Sequence, residues 1–158
     1  MILVTVGTQK FQMDRLLKAV DALACSGALD GTFFIQSGHS TYAPEHCQYA
    51  SFLKKEEMEE KMDQCSVLLS HAGVGTILMG LKRGKKVIVV PRLQKFGEHV
   101  DDHQIEIAES FAKAGYIRMV RDTDALAEEI NRCKDWMPRA FESNKDKFNR
   151  LVLELLAQ

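Results

Sequence analysis

The chain has 158 residues, of which 46% are hydrophobic and 27% are charged, the mixture expected of one globular domain with a sizeable core. Its net charge of -1 gives no reason to expect nucleic-acid or membrane-surface binding. No apolar run approaches the ~20 residues that a membrane-spanning helix needs. We therefore expect a single domain over residues 1–158.

The cysteines and the first residues indicate a cytoplasmic protein. Cys25, Cys47, Cys65 and Cys133 form no Cys-x-x-Cys motif, which favours reduced thiols over a disulfide or zinc framework. Residues 1–7 are too short and too uncharged for a signal peptide and are typical of a strand.

Short β-rich apolar runs alternate along the chain with segments of helical periodicity. In chain order, the predicted elements are strand Ile2–Val6, helix Met13–Leu23, strand Thr32–Gln36, strand Gln48–Leu53, helix Glu56–Cys65, strand Ser66–Ser70, helix Thr76–Lys82, strand Val87–Val90, helix His103–Ala114, strand Tyr116–Val120, helix Asp124–Cys133 and a last helix after Pro138. This alternation predicts an α/β fold, a Rossmann-like doubly wound parallel sheet of about six strands.

Two glycine turns follow predicted strands at the same edge of this sheet. Gly73-Val74-Gly75 leads into the helix predicted from Thr76, where free backbone N–H groups and the helix dipole favour an anion. Gly7-Thr8-Gln9 follows the first strand and offers a second set of donors. Each segment is equally compatible with an ordinary strand–helix turn that binds nothing. The sequence contains neither a P-loop nor a Gly-x-Gly-x-x-Gly signature, which argues against an ATPase and a nicotinamide enzyme.

The loop from Arg92 to Gln104 carries polar groups that suit a sugar. Carboxylates and amides of the kind that hydrogen-bond sugar hydroxyls stand at Glu98, Asp101, Asp102 and Gln104. Arg92 and Lys95 carry positive charge that suits a phosphate. The alternative is a solvated loop without a ligand.

Three histidines are candidates for chemistry. His71 ends a buried strand, where it is either a hydrogen-bonded structural residue or a base. His99 and His103 flank two aspartates at a spacing compatible with a divalent metal, but no cysteine or further histidine clusters nearby in sequence, so we expect no metal. His71 and His99 are the candidate catalytic residues, and spacing assigns the role to neither.

Together these motifs resemble the C-terminal, nucleotide-sugar-binding half of GT-B glycosyltransferases of the MurG type, family 28. The shared segments are Val4–Thr8, Ser70–Thr76, Gly84–Pro91 and Asp101–Gln104. The similarity is strongest to the small stand-alone form of this half. Examples are the donor-binding subunit of dolichol-linked UDP-N-acetylglucosamine transferase and its counterparts in bacterial capsule and exopolysaccharide synthesis. The segment Pro91–Gln104 most resembles the bacterial branch.

The resemblance implies a UDP-sugar donor and the residues that bind it. The pyrophosphate is expected at Gly73, Val74, Gly75 and Thr76, with help from Gly7, Thr8 and Gln9. Phe52 and Leu53 match the strand end whose backbone reads the uracil, and Asp101 and Gln104 match the residues that face the donor sugar.

One position departs from the family pattern. Met79 stands where MurG-type proteins place a glutamate on the ribose hydroxyls, three residues after the threonine. Another acceptor is then needed, and Glu98 and Asp102 are the candidates.

The resemblance also implies an enzyme divided between two proteins. We expect the UDP-sugar-binding subunit of a transferase that moves a hexosyl group to a lipid-linked saccharide acceptor, with no cofactor besides the donor substrate. A membrane-anchored, acceptor-binding subunit is the expected partner, and it would recruit this chain to the membrane. The isolated chain is a possible homo-oligomer, and no nucleic acid is expected.

The last helix, at about 140–157, is the candidate contact with that partner. Its apolar stripe consists of Phe141, Phe148, Leu151, Val152, Leu155 and Leu156. The alternative is that the stripe packs on its own domain. Two other functions also stay open: a non-catalytic activator subunit, and a self-sufficient enzyme that modifies nucleotide sugars.

Overall fold

A sheet of six parallel strands forms the centre of the computed structural model, which describes residues 1–142 and 145–156. The strands are β1 (Ile2–Thr5), β2 (Phe33–Gln36), β3 (Gln48–Ala50), β4 (Val67–Ser70), β5 (Lys86–Val89) and β6 (Arg118–Met119). The helices are α1 (Asp14–Ser26), α2 (Lys55–Gln64), α3 (Val74–Lys82), α4 (His103–Lys113), α5 (Leu126–Asp135) and α6 (Lys145–Leu156). The strand order β3-β2-β1-β4-β5-β6 confirms the predicted Rossmann-like, doubly wound sheet.

Apolar layers cover both faces of the sheet, because side chains alternate along each strand. In β1, Ile2 and Val4 belong to the layer that includes α1 and α5, while Leu3 belongs to the layer that includes α3 and α4. The strands are therefore buried on both sides, which explains continuous apolar runs such as Val87–Val90.

The predicted elements are present in the predicted order, but several boundaries differ. β3 ends at Ala50 rather than Leu53, and α3 begins at Val74 rather than Thr76. A short 3-10 turn at Thr123–Ala125 precedes α5. Apolar periodicity locates the buried face of an element, whereas its first and last residues depend on backbone angles and capping.

The last helix, α6, is described only in part. Val152 is half-buried and Leu153 is 64% exposed. The predicted stripe also depends on Phe148, Leu151, Leu155 and Leu156, whose side chains lie outside the described residues. Within residues 1–142 and 145–156, no helix is both long enough and apolar enough to cross a membrane.

Gly80 lets α3 lie directly on the sheet. A Cβ at this position would lie 2.7 Å from Leu68 Cδ2 and 2.9 Å from Val87 Cγ2. We expect Gly80→Val to lower the free energy of unfolding by ~1–3 kcal/mol, because the extra carbons force the helix away from β4 and β5. Lys82→Val, at an exposed position of the same helix, should change it by less than ~0.5 kcal/mol. Urea denaturation measures both, and equal stabilities would contradict this packing.

Candidate functional site

The strand order creates a crevice between β1 and β4. The chain leaves β1 towards β2 and leaves β4 towards β5, on opposite sides, so the connections separate beyond the carboxyl ends of these strands. A cleft of about 460 Å³ opens there. It is lined by Thr5, Gly7, Thr8, Gln9, Gln36, Leu53, Lys55, Met58, His71, Gly73, Val74, Gly75, Thr76 and Met79. The fold therefore brings together both glycine turns.

The N-terminus of α3 opens into this cleft. The first intrahelical hydrogen bond runs from Ile77 N to Gly73 O at 3.0 Å, so the N–H groups of Val74, Gly75 and Thr76 have no acceptor within the helix. Gly73 provides no side-chain cap. A Cβ at Gly75 would meet nothing within 4 Å, so the packing does not demand glycine there. Three donors and the positive end of the helix dipole are thus available to an anion.

His71 lies between two of the glycines. It is 5% exposed, and a Cβ at Gly7 would lie 2.5 Å from its Nε2. A Cβ at Gly73 would lie 2.1 Å from its Cε1. Gly7 also has a φ of 75°, which disfavours other residues. These two glycines are therefore required to make room for an imidazole, whatever the cleft binds.

Burial, and to a lesser extent the nearby Arg92 charge, lowers the pKa of His71 from 6.5 to about 4. The ring is therefore neutral near pH 7. Gln104 accepts the backbone N–H of Arg92 through Oε1 at 3.1 Å, which turns its amide nitrogen towards His71 Nδ1 at 3.4 Å. Since Nδ1 accepts, Nε2 carries the proton. Nε2 has no hydrogen-bond partner among the described residues, so it is a buried donor at the cleft.

Arg92 and Glu98, which the sequence predicts as ligand contacts, are both fully buried and lie outside the cleft lining. The Arg92 guanidinium donates to the backbone carbonyls of Val6, Phe11, Gln12 and Glu98. The Glu98 carboxylate pairs with Arg15 at 2.9 Å and accepts the Leu93 N–H at 2.9 Å. Buried charges need such partners, which hold both side chains inside the protein, and Arg92 Nε alone of the guanidinium nitrogens has no partner among the described residues.

Other polar residues of the Arg92–Gln104 loop also lie away from the cleft lining. Asp102 accepts the Gln94 N–H at 2.8 Å. With Lys95 it borders a separate cleft of about 540 Å³ near the ends of β5 and β6. Met79 lines the cleft, whereas Glu98 and Asp102, the two candidates for its missing ribose contact, lie outside the lining.

Asp101 lies close to both loop histidines. Its Oδ1 lies 3.2 Å from His99 Nδ1, and its Oδ2 lies 3.9 Å from His103 Nε2. His99 also packs on Phe11 with ring centroids 5.3 Å apart. Among the described residues, no group of three or more His, Cys, Asp or Glu side chains is arranged to hold a metal ion.

The segment that follows β3 in the chain forms another part of the cleft wall. Leu53 lines the cleft, whereas Phe52 is 49% exposed and packs edge-on against His39, with ring centroids 5.1 Å apart. Both residues follow the last residue of β3 rather than belonging to the strand.

Sequence reasoning missed three polar residues of the lining, Thr5, Gln36 and Lys55. Gln36 ends the buried strand β2, and its Oε1 accepts the Thr5 hydroxyl at 2.6 Å. A polar residue at the carboxyl end of a buried strand was a usable signal for it. Lys55 begins α2 and belongs to no motif, so only the fold reveals that it adds positive charge to the cleft.

This fold and site define a Rossmann-like α/β domain with an open helix N-terminus at its topological switch point. The sequence model of the family "Glycosyltransferase family 28 C-terminal domain" matches residues 1–156. The chain therefore belongs to this family, and the resemblance to the MurG-type half is confirmed.

Individual relatives agree with this assignment. The UDP-N-acetylglucosamine transferase subunit ALG13 of Mus musculus is 32% identical over 123 residues, which cover 72% of this chain but 10% of the relative. A solution structure of ALG13 superposes with a TM-score of 0.62 at 18% identity, over 99% of this chain and 96% of that one. MurG of Acinetobacter baumannii gives a TM-score of 0.57 at 18% identity, over 85% of this chain and 41% of that one. At these identities the structures support the shared fold.

His71 should make stability rise with pH between about 4 and 6.5. The unfolded chain carries this imidazole at its ordinary pKa of 6.5 and the folded chain at about 4, so only the unfolded state binds its proton in this window. Between pH 7 and pH 4.5 the wild type should lose ~2 kcal/mol more unfolding free energy than His71→Gln. Urea unfolding at a series of pH values measures the two slopes. Parallel slopes would show that His71 titrates normally.

Proposed function

We propose that this chain binds a UDP-sugar in the cleft between β1 and β4 and supplies the donor-binding half of a glycosyltransferase. The observation that carries the proposal is the open N-terminus of α3, whose free N–H groups lie beside the neutral His71. Two comparisons support it: membership of glycosyltransferase family 28, and the relative named as a UDP-N-acetylglucosamine transferase subunit.

In the proposed binding mode, the diphosphate lies at the N-terminus of α3. The N–H groups of Val74, Gly75 and Thr76 and the Nε2–H of His71 donate to its oxygens, and Lys55 adds positive charge. The segment Gly7–Gln9 closes the opposite side. The uracil then lies towards Phe52 and Leu53, and the sugar towards Asp101 and Gln104.

The reaction we propose is the transfer of a hexosyl group. An acceptor hydroxyl attacks the anomeric carbon, and the bond from that carbon to the β-phosphate oxygen breaks. UDP leaves with increased negative charge, which the fixed N–H donors and the helix dipole stabilise. The hydroxyl proton passes to a general base.

That base is proposed to come from a second protein. The described residues that line the cleft include no Asp or Glu. His71 is unsuitable because a pKa of about 4 makes it a weak base near pH 7, and His99 lies outside the lining. A membrane-anchored subunit that holds a lipid-linked saccharide acceptor would supply both the acceptor and the base.

We propose α6 as the contact with the partner, because Leu153 is 64% exposed on it. The partner would recruit this chain from the cytoplasm to the membrane.

The similarity of Pro91–Gln104 to the bacterial branch favours capsule or exopolysaccharide synthesis as the pathway.

Gly75→Asp should abolish UDP binding while the fold survives. The new carboxylate would occupy open space where the phosphate charge is proposed to lie. Gly75→Asn is the matched control, because it has the same size without the charge, and we expect it to lose less than about tenfold in affinity. Calorimetry with UDP measures binding, and thermal unfolding checks the fold. Unchanged UDP affinity in Gly75→Asp would contradict the site.

The purified chain alone should bind a UDP-sugar but transfer no sugar to a lipid-linked acceptor, because the described lining of its cleft includes no carboxylate base. Calorimetry and a radiolabelled transfer assay measure the two properties. Full transferase activity without a partner would contradict the divided enzyme. Absence of UDP-sugar binding would instead favour a non-catalytic activator subunit.

A further inference from the structure

One buried guanidinium joins the loop after β1 to the loop after β5. Arg92 is fully buried. Its Nη1 donates to Phe11 O at 3.1 Å and to Gln12 O at 3.2 Å, and its Nη2 donates to Val6 O. These carbonyls flank Gly7–Gln9 on both sides, so the guanidinium holds both ends of a segment that lines the cleft.

The same residue also holds its own loop. Nη1 donates to Glu98 O at 3.1 Å. The backbone N–H of Arg92 donates to Gln104 Oε1 at 3.1 Å, and the Gln104 amide nitrogen faces His71 Nδ1 at 3.4 Å. Arg92 therefore connects the loop after β1, the loop after β5 and, through Gln104, the histidine at the cleft.

An ion pair supports this arrangement from α1. Arg15 contacts both oxygens of the buried Glu98 carboxylate, at 2.9 and 3.0 Å, and donates to Pro91 O at 3.2 Å. Glu98 also opposes the effect of burial, which lowers the pKa of Arg92. Breaking such a buried network leaves an uncompensated charge, so the three side chains form one unit.

We propose that Arg92, supported by Arg15 and Glu98, is a positioning residue that sets the spacing between the diphosphate-binding and sugar-facing parts of the donor cleft. The proposal rests on the proposed function. It follows from the shape of the guanidinium, whose planar fork holds several carbonyls in fixed directions. A lysine ammonium, with its donors on one atom, cannot do so.

UDP and a UDP-sugar should depend on this residue differently. UDP is proposed to bind chiefly at the N-terminus of α3. The hydrogen bonds of the Arg92 guanidinium go instead to carbonyls of the loops after β1 and β5. In the proposed binding mode the sugar extends from the cleft towards Asp101 and Gln104 of the loop after β5. A UDP-sugar then engages both loops at once, so it loses affinity when their spacing is no longer held before binding.

The first test needs no ligand. Arg92→Lys is compared with Arg83→Lys, which alters an arginine that pairs with Asp63 at 3.1 Å, away from the cleft. Amide hydrogen exchange should become at least tenfold faster in residues 93–98 of Arg92→Lys, where the N–H groups of Leu93, Phe96 and Glu98 have acceptors inside the loop, with α5 unchanged and no effect of Arg83→Lys. Unchanged exchange in residues 93–98 of Arg92→Lys would overturn the proposal.

The second test is calorimetry with UDP and with UDP-N-acetylglucosamine. In Arg92→Lys, affinity for UDP-N-acetylglucosamine should fall at least tenfold and affinity for UDP less than threefold. Equal losses for both ligands, or no loss, would overturn the positioning role. A wild type that binds neither ligand would overturn the proposed function, and hydrogen exchange would then decide the role of Arg92. If Arg92→Lys does not fold, Arg15→Lys replaces it under the same criteria, with exchange read in residues 93–98.

Discussion

The parallel pairing of β1 with β4 is the constraint on which the site depends. Thr5 lies opposite Ser70 in this pair, and the Ser70 hydroxyl donates to Thr5 O at 2.9 Å. The register brings the two glycine turns side by side although they are more than sixty residues apart in sequence. Because the sheet is wound in opposite directions from this point, no helix covers the space between them.

Glycine has two distinct functions in this cleft. Gly7 and Gly73 leave room for the His71 ring, since a Cβ at either position would overlap it. Gly75 has open space around it and keeps the N-terminus of α3 accessible. One sequence motif therefore combines a packing requirement inside the protein with an accessible surface for the proposed diphosphate.

The charged residues are likewise divided between the interior of the protein and the cleft. Arg92 and Glu98, which a sequence pattern presents as ligand contacts, satisfy backbone carbonyls and an arginine inside the protein. The described lining of the cleft has backbone donors, a neutral histidine, Lys55 and uncharged polar side chains such as Gln36. A surface of this kind suits an anionic leaving group, and its described lining provides no carboxylate base, which is why a second protein enters the proposed mechanism.

The sequence by itself determined the order of strands and helices, the parallel sheet and the glycine turn at α3, because apolar periodicity and glycine position are local properties of the chain. It also carried enough family-specific motifs to predict the family. Only the tertiary structure decided which polar residues reach the cleft. Burial of Arg92 and Glu98, the neutral state of His71 and the contribution of Lys55 depend on contacts between segments distant in sequence, and no local pattern records them.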